Sequence, residues 1–183
     1  MKTLFWPGVF GLLAGFLSLY ATVFPSSSNL FSIGFFLPGV IFGSVMAPYF
    51  LATSSVLEMG YKVVAFLEFV AISFFAYLFA LITNLLLDLP YADGWSMGSI
   101  TYSPVPVSPF WGWSGFFLGG CIGGFLLAMG ARRLFKYDMR TGIAVITLVG
   151  GVLGLVGLVN IFVLFPVWQM GVAVTMGIVR SGL

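Results

Sequence analysis

Gly142–Val179 reads GIAVITLVGGVLGLVGLVNIFVLFPVWQMGVAVTMGIV, 38 residues without a single charged side chain. As one straight α-helix at 1.5 Å per residue it would extend about 57 Å, nearly twice the roughly 30 Å of bilayer hydrocarbon. A stretch of this length therefore folds back on itself. Asn160 and Pro166 are the polar and helix-breaking positions within it, so the reversal is expected between them, making two spans of one run.

The same ruler of about 20 apolar residues per crossing marks four more spans upstream, Thr3–Val23, Leu30–Ala52, Val63–Leu87 and Pro109–Met129. The reading is an all-α, polytopic transmembrane bundle of six helices forming one integral membrane domain over residues 1–183. Five spans plus an interfacial C-terminal helix is the alternative. Composition agrees: 61% of residues are hydrophobic, 7% are charged, and mean hydropathy is +1.15. Soluble domains carry about 25% charged residues. Lys2 ahead of the first span gives it the outline of a signal peptide, but the polar turn Phe24–Ser28 that follows favours a helical hairpin.

Charge placement tests the count, because cytoplasmic loops near spans accumulate Lys and Arg. With six spans, Lys2, Lys62, Arg132, Arg133, Lys136, Arg140 and Arg180 all fall on one side, and the opposite loops hold only Asp88 and Asp93. Both termini are then expected in the cytoplasm. The segment 131–141 is a basic cytoplasmic loop in which Arg132, Arg133, Lys136 and Arg140 fix topology and attract anionic lipid, each worth about 1 kcal/mol.

Glycine spacing supplies the packing pattern. Gly11 and Gly15, Gly39 and Gly43, Gly115, Gly119 and Gly123, and Gly150 and Gly154 each recur four residues apart, which places them on one helix face where two backbones can approach closely. The third span has no glycine between Tyr61 and Asp93 and packs through bulky side chains. Pro38 and Pro48 predict a kinked second helix, the bend near Leu37–Gly39. Gly11–Leu17 and Gly120–Leu126 match at four of seven positions, a faint repeat that would relate the two halves by inversion across the membrane.

Glu68 is the one ionisable group inside an expected span, and acids there are costly and therefore candidates for function. It falls about 8 Å past the start of the Val63 span. The first reading is a tether to Arg132 or Arg133; a proton- or cation-linked site and an intersubunit pair are the others. Asn84, Asn160, Gln169, Thr147 and Thr175 are read as interhelical hydrogen-bonding groups. On the outer side, the loop at residues 88–108 carries Asp88, Tyr91, Asp93, Trp95 and Tyr102, an aromatic cap suited to docking a partner.

The chain contains no His and one Cys, Cys121. That excludes His-ligated haem, Cys/His zinc sites, iron–sulfur clusters, a Ser-His-Asp triad and an internal disulfide. No phosphate loop or metalloprotease motif is present, so no enzymatic activity, metal or obligate cofactor is expected, although the Phe-rich surface suits bound lipid, quinone or pigment. The expected partners are membrane lipids and other membrane-protein subunits, and nucleic acid is excluded. The functional reading is a non-catalytic membrane subunit that stabilises or assembles a larger complex. The alternative is a small transporter or substrate-capture component with its site near the kinked second helix and Glu68.

Overall fold

The computed structural model describes residues 2–23, 36–53, 59–88, 109–135, 140–159 and 161–181. Among them the chain is wholly helical: α1 (Lys2–Val23), α2 (Leu37–Ala52), α3 (Met59–Asp88), α4 (Pro109–Phe135), α5 (Arg140–Gly154), the single turn α6 (Val156–Val159) and α7 (Ile161–Ser181). Four of these are long and apolar enough to cross a membrane, through Phe5–Thr22, Gly60–Asn84, Trp113–Leu134 and Val163–Arg180. The described parts of α2 and α5 are shorter, at 16 and 15 residues.

The break in the last apolar run comes earlier than the sequence predicts. Its α5 limb ends at Gly154, where the Leu155 amide donates to the Val152 carbonyl at 3.2 Å, and α7 runs from Ile161 straight through Pro166. Pro166 therefore lies inside a helix and does not mark the turn. It is the sixth residue of α7, close enough to the helix start that only one or two interior hydrogen bonds are affected. The chain reverses between the end of α5 and the start of α7, with Gly154 and Gly157 on either side of the turn at Leu155. Pro38 likewise sits in the first turn of α2, a place where a proline has no intrahelical bond to lose, and the described helix begins there. Residues 30–35, the expected approach to a kink, lie outside the described residues.

The helices close a ring in chain order, α1 to α2, α2 to α3, α3 to α4, α4 to α5 and α5 to α7, with α7 returning to lie along α1. Each neighbour runs antiparallel to the next. On α1 and α7, Gly8 faces Val174, Gly11 faces Met170 and Gly15 faces Pro166; on α4 and α5, Gly154 meets Phe116, Gly150 meets Gly120, and Ile146 meets Gly124. α7 thus packs against α1 and α5 along its length.

These approaches are close enough that no side chain would fit. A Cβ on Gly11 would lie 2.7 Å from both the Ala173 Cβ and the Gln169 carbonyl oxygen, and one on Gly39 would lie 2.6 Å from the Ser73 carbonyl oxygen. Gly43 rests on Val70, Gly115 on Asn84, Gly119 on the Ala80 carbonyl and Gly123 on the Trp168 indole. The two segments of the faint repeat occupy different environments: Gly11 and Gly15 pack on α7, whereas Gly120 and Gly124 pack on α5. In an inverted duplication the counterpart of the α1–α7 contact would be α4 on α3, which Gly115 and Gly119 make instead.

Phe42, Met46, Phe50, Phe69, Leu127, Ile146, Val172 and Met176 fill the centre. Phe50 and Phe69 meet edge to face at 5.5 Å, which adds directional packing between α2 and α3. At one end of the bundle the Arg180 guanidinium donates to the Thr53 hydroxyl and the Thr53 carbonyl, tying the C-terminus of α7 to the C-cap of α2.

Candidate functional site

Two kinds of polar residue stand out from this apolar body: a group in the interior, and exposed charges on α3 and α4. In the interior, Gln169 of α7 and Ser18 of α1 are 3% and 0% exposed, and the Gln169 amide donates to the Ser18 hydroxyl at 2.9 Å. That hydroxyl in turn reaches the Pro38 carbonyl at 3.5 Å, joining α1, α2 and α7. The Gln169 side-chain carbonyl and the buried Ser73 hydroxyl have no hydrogen-bond partner among the described residues, and the same holds for the Asn84 side-chain carbonyl where it faces Gly115. Buried polar atoms in this state carry a desolvation cost of about 1–3 kcal/mol each.

Of the polar residues read as interhelical links, Gln169 makes one. Thr147 and Thr175 instead donate within their own helices, to Ile143 at 2.7 Å and Gly171 at 2.8 Å. A threonine hydroxyl one turn from a carbonyl finds its partner locally before it can reach across a seam. Asn160 lies outside the described residues.

Trp168, which the sequence reading did not single out, crosses the bundle. Its indole N–H donates to the Gly150 carbonyl at 2.9 Å, its ring lies against Gly123, and Phe42 contacts it at 6.3 Å between centroids. The signal was present in the sequence, since a Trp inside an apolar span needs a partner for its N–H.

Glu68 is exposed on α3, and no ion pair joins it to Arg132 or Arg133 among the described residues. The expected tether is therefore not made. α3 also begins at Met59, which sets Glu68 nine residues, about 13 Å, from the helix start. Asn84 meets Gly115, Ala80 meets Gly119 and Ile72 meets Gly130, so α3 and α4 run antiparallel along this seam.

Glu68 lies on the helix surface between Ile72, packed on Gly130, and the exposed Val64 and Phe75. Arg133 lies between Gly130 and the exposed Met129 and is itself exposed. Arg132 is half-buried on α4.

The remaining expected sites fall elsewhere. Lys136, Tyr91, Asp93, Trp95 and Tyr102 lie outside the described residues, and of Arg140 and Asp88 only the helical backbone is described. Pro48 is exposed within α2. Among the described residues no group of three His, Cys, Asp or Glu gathers that could hold a metal ion. Comparison with protein-family models, characterised proteins and solved structures finds no match to this chain.

Proposed function

We propose that this chain is a non-catalytic, multi-pass membrane subunit that helps assemble or stabilise a larger complex, with both termini and the basic 131–141 loop in the cytoplasm. The observation that carries the reading is main-chain contact between neighbouring helices around a core filled with side chains. Gly15 abuts the Pro166 backbone, Gly120 the Gly150 carbonyl and Gly154 the Phe116 carbonyl. Volume that a carrier would leave for a solute is occupied along these seams by backbone, which suits a rigid body presenting its outer surface. That surface is rich in large apolar side chains, among them Phe5, Trp6, Phe16 and Tyr20 on α1 and Tyr61, Leu67, Phe75 and Phe79 on α3. In a bilayer, such faces meet either lipid or another subunit's helices.

The sidedness rests on charge. Lys2, Lys62, Arg132, Arg133, Lys136, Arg140 and Arg180 share one side in a six-span topology, the asymmetry that directs insertion. Mild-detergent extraction from the native membrane, with mass measured by light scattering, is expected to give a particle larger than one 19.8 kDa chain with stoichiometric companions. A monodisperse single chain would sink the reading.

A second reading, small-solute transport or capture, is favoured by the interior polar group. The unpartnered Gln169 carbonyl and Ser73 hydroxyl are acceptors and donors of the kind that orient a polar ligand. Under it, Gln169→Leu abolishes uptake into vesicles while leaving assembly unchanged. As an assembly subunit, the chain tolerates the same substitution without functional loss.

A further inference from the structure

α3 is covered on two sides. Gly39 and Gly43 of α2 rest on Ser73 and Val70, and Gly119 and Gly130 of α4 rest on Ala80 and Ile72. The rest of its circumference is open: 22% of the crossing stretch Gly60–Asn84 is buried, against 50% for Trp113–Leu134 of α4. At about 100° per residue, Val64, Glu68, Ala71, Phe75, Ile82 and Leu86 fall within about 60° of one another round the helix. All are exposed, so they form one continuous strip that is apolar except at Glu68. The acid lies about 12 Å along the helix from Gly60, where the crossing stretch begins. Among the described residues no hydrogen bond or ion pair reaches it. Lys62, the basic residue of the same helix, is set about 9 Å back and about 120° round the axis. Ionisable groups within a span face a bundle interior or another charge, because hydrocarbon offers them no compensation. Glu68 faces neither within this chain.

We infer that this strip is the docking face for a transmembrane helix of a different subunit, one that carries a lysine or arginine at the level of Glu68. The inference rests on the subunit reading above and specifies the chemistry of the partner. Charge selects the occupant. A second copy joined through α3 about an axis along the membrane normal would bring Glu68 against Glu68, and like charges at one level repel. Acyl chains cover the apolar positions but give the carboxylate no donor. A basic side chain on a neighbouring helix supplies charge-assisted hydrogen bonds, while the apolar residues around it cover Val64 and Phe75. Ala71, next to Glu68 on the strip, is the small residue at which the partner's backbone comes closest.

The test uses the full chain in its native membrane, with benzoylphenylalanine in place of Phe75 on the strip or, as a control, in place of Val152 on the exposed side of α5. After irradiation and mild-detergent extraction, the linked peptides are sequenced. The probe at position 75 is expected to mark a membrane-spanning segment of another chain with Lys or Arg about two turns from the linked residue; the control probe does not mark it. Glu68→Gln lowers retention of that chain at least about tenfold, the size of effect that follows loss of one member of a close charge pair. Glu68→Lys lowers it further, and changing the partner's basic residue to Glu restores retention by the Glu68→Lys variant. Glu68→Asp, which keeps the charge, retains the partner in part and serves if the Glu68→Lys variant inserts poorly. Companions that stay with wild type, Glu68→Gln and Glu68→Lys alike overturn the inference and leave the subunit reading standing, whereas a lone wild-type chain overturns both. A marked segment without Lys or Arg also overturns it, as does a link to a second copy. So does a Glu68→Gln variant that sheds bound lipid but no chain, since the acid would then serve a lipid headgroup.

Discussion

Gly15→Ala is expected to lower the stability of the bundle by about 2 kcal/mol, and Gly60→Ala, the same change on an exposed helix position, to raise it. The contrast follows from what each new methyl group meets. At Gly15 a Cβ would fall within 3.0 Å of the Pro166 backbone and of the Phe165 carbonyl oxygen, atoms of a neighbouring helix that cannot rotate aside. Overpacking of that kind costs about 3 kcal/mol when α1 and α7 must separate, and the better helix propensity of alanine returns roughly 1 kcal/mol. At Gly60 nothing lies within 4 Å, so only the propensity gain remains. Unfolding midpoints in detergent, followed by tryptophan fluorescence, give the two signs. If both substitutions shift the midpoint the same way, the α1–α7 contact is not the close main-chain approach described here. Gly154→Ala, aimed at the Phe116 carbonyl, should behave like Gly15→Ala and report on the α4–α5 seam.

The glycine pattern was the most legible part of the sequence because each residue without a side chain records, one position at a time, where another backbone must pass. The long apolar runs were equally plain: α1, α3 and α4 occupy nearly the stretches that length and hydropathy mark. Orientation was far less legible. When both faces of a helix are apolar there is no polar stripe to tell inside from outside, so nothing in the sequence marked the side of α3 that carries Glu68 as the exposed one. The reversal after α5 was misplaced because Pro166 is the stronger local punctuation, yet a proline in the opening turns of a helix costs little, and the actual break needed only Gly154, Gly157 and the Leu155–Val152 bond. Trp168 was overlooked because tryptophan in membrane proteins is first read as an interfacial anchor. Its bond to the Gly150 carbonyl lies in the core, where it depends on the α5–α7 pairing and not on nearby sequence.

Ser18→Ala is expected to cost about 2 kcal/mol, and far less when Gln169 has already been replaced by Leu. In the wild type the Ser18 hydroxyl is the acceptor for the Gln169 amide, at 2.9 Å, while the Gln169 carbonyl already lacks a partner. Removing the hydroxyl leaves both ends of a fully buried amide unsatisfied, and the penalty for such groups, about 1–3 kcal/mol, exceeds the average of roughly 0.6 kcal/mol for an interhelical hydrogen bond in a membrane protein. Gln169→Leu removes the whole amide at nearly constant volume and costs less than about 1.5 kcal/mol. In that background Ser18 has only its 3.5 Å contact with the Pro38 carbonyl to lose, so the two substitutions are strongly non-additive. A double-mutant cycle in detergent measures the coupling; additivity within about 0.5 kcal/mol would show that the two side chains do not act as a pair. The Ser18→Ala, Gln169→Leu double variant has a further use. It replaces the interior polar link with apolar contacts while keeping the helix seams, so a complex that still assembles around it, with no transport activity lost, separates a packing role for this pair from a solute-binding one.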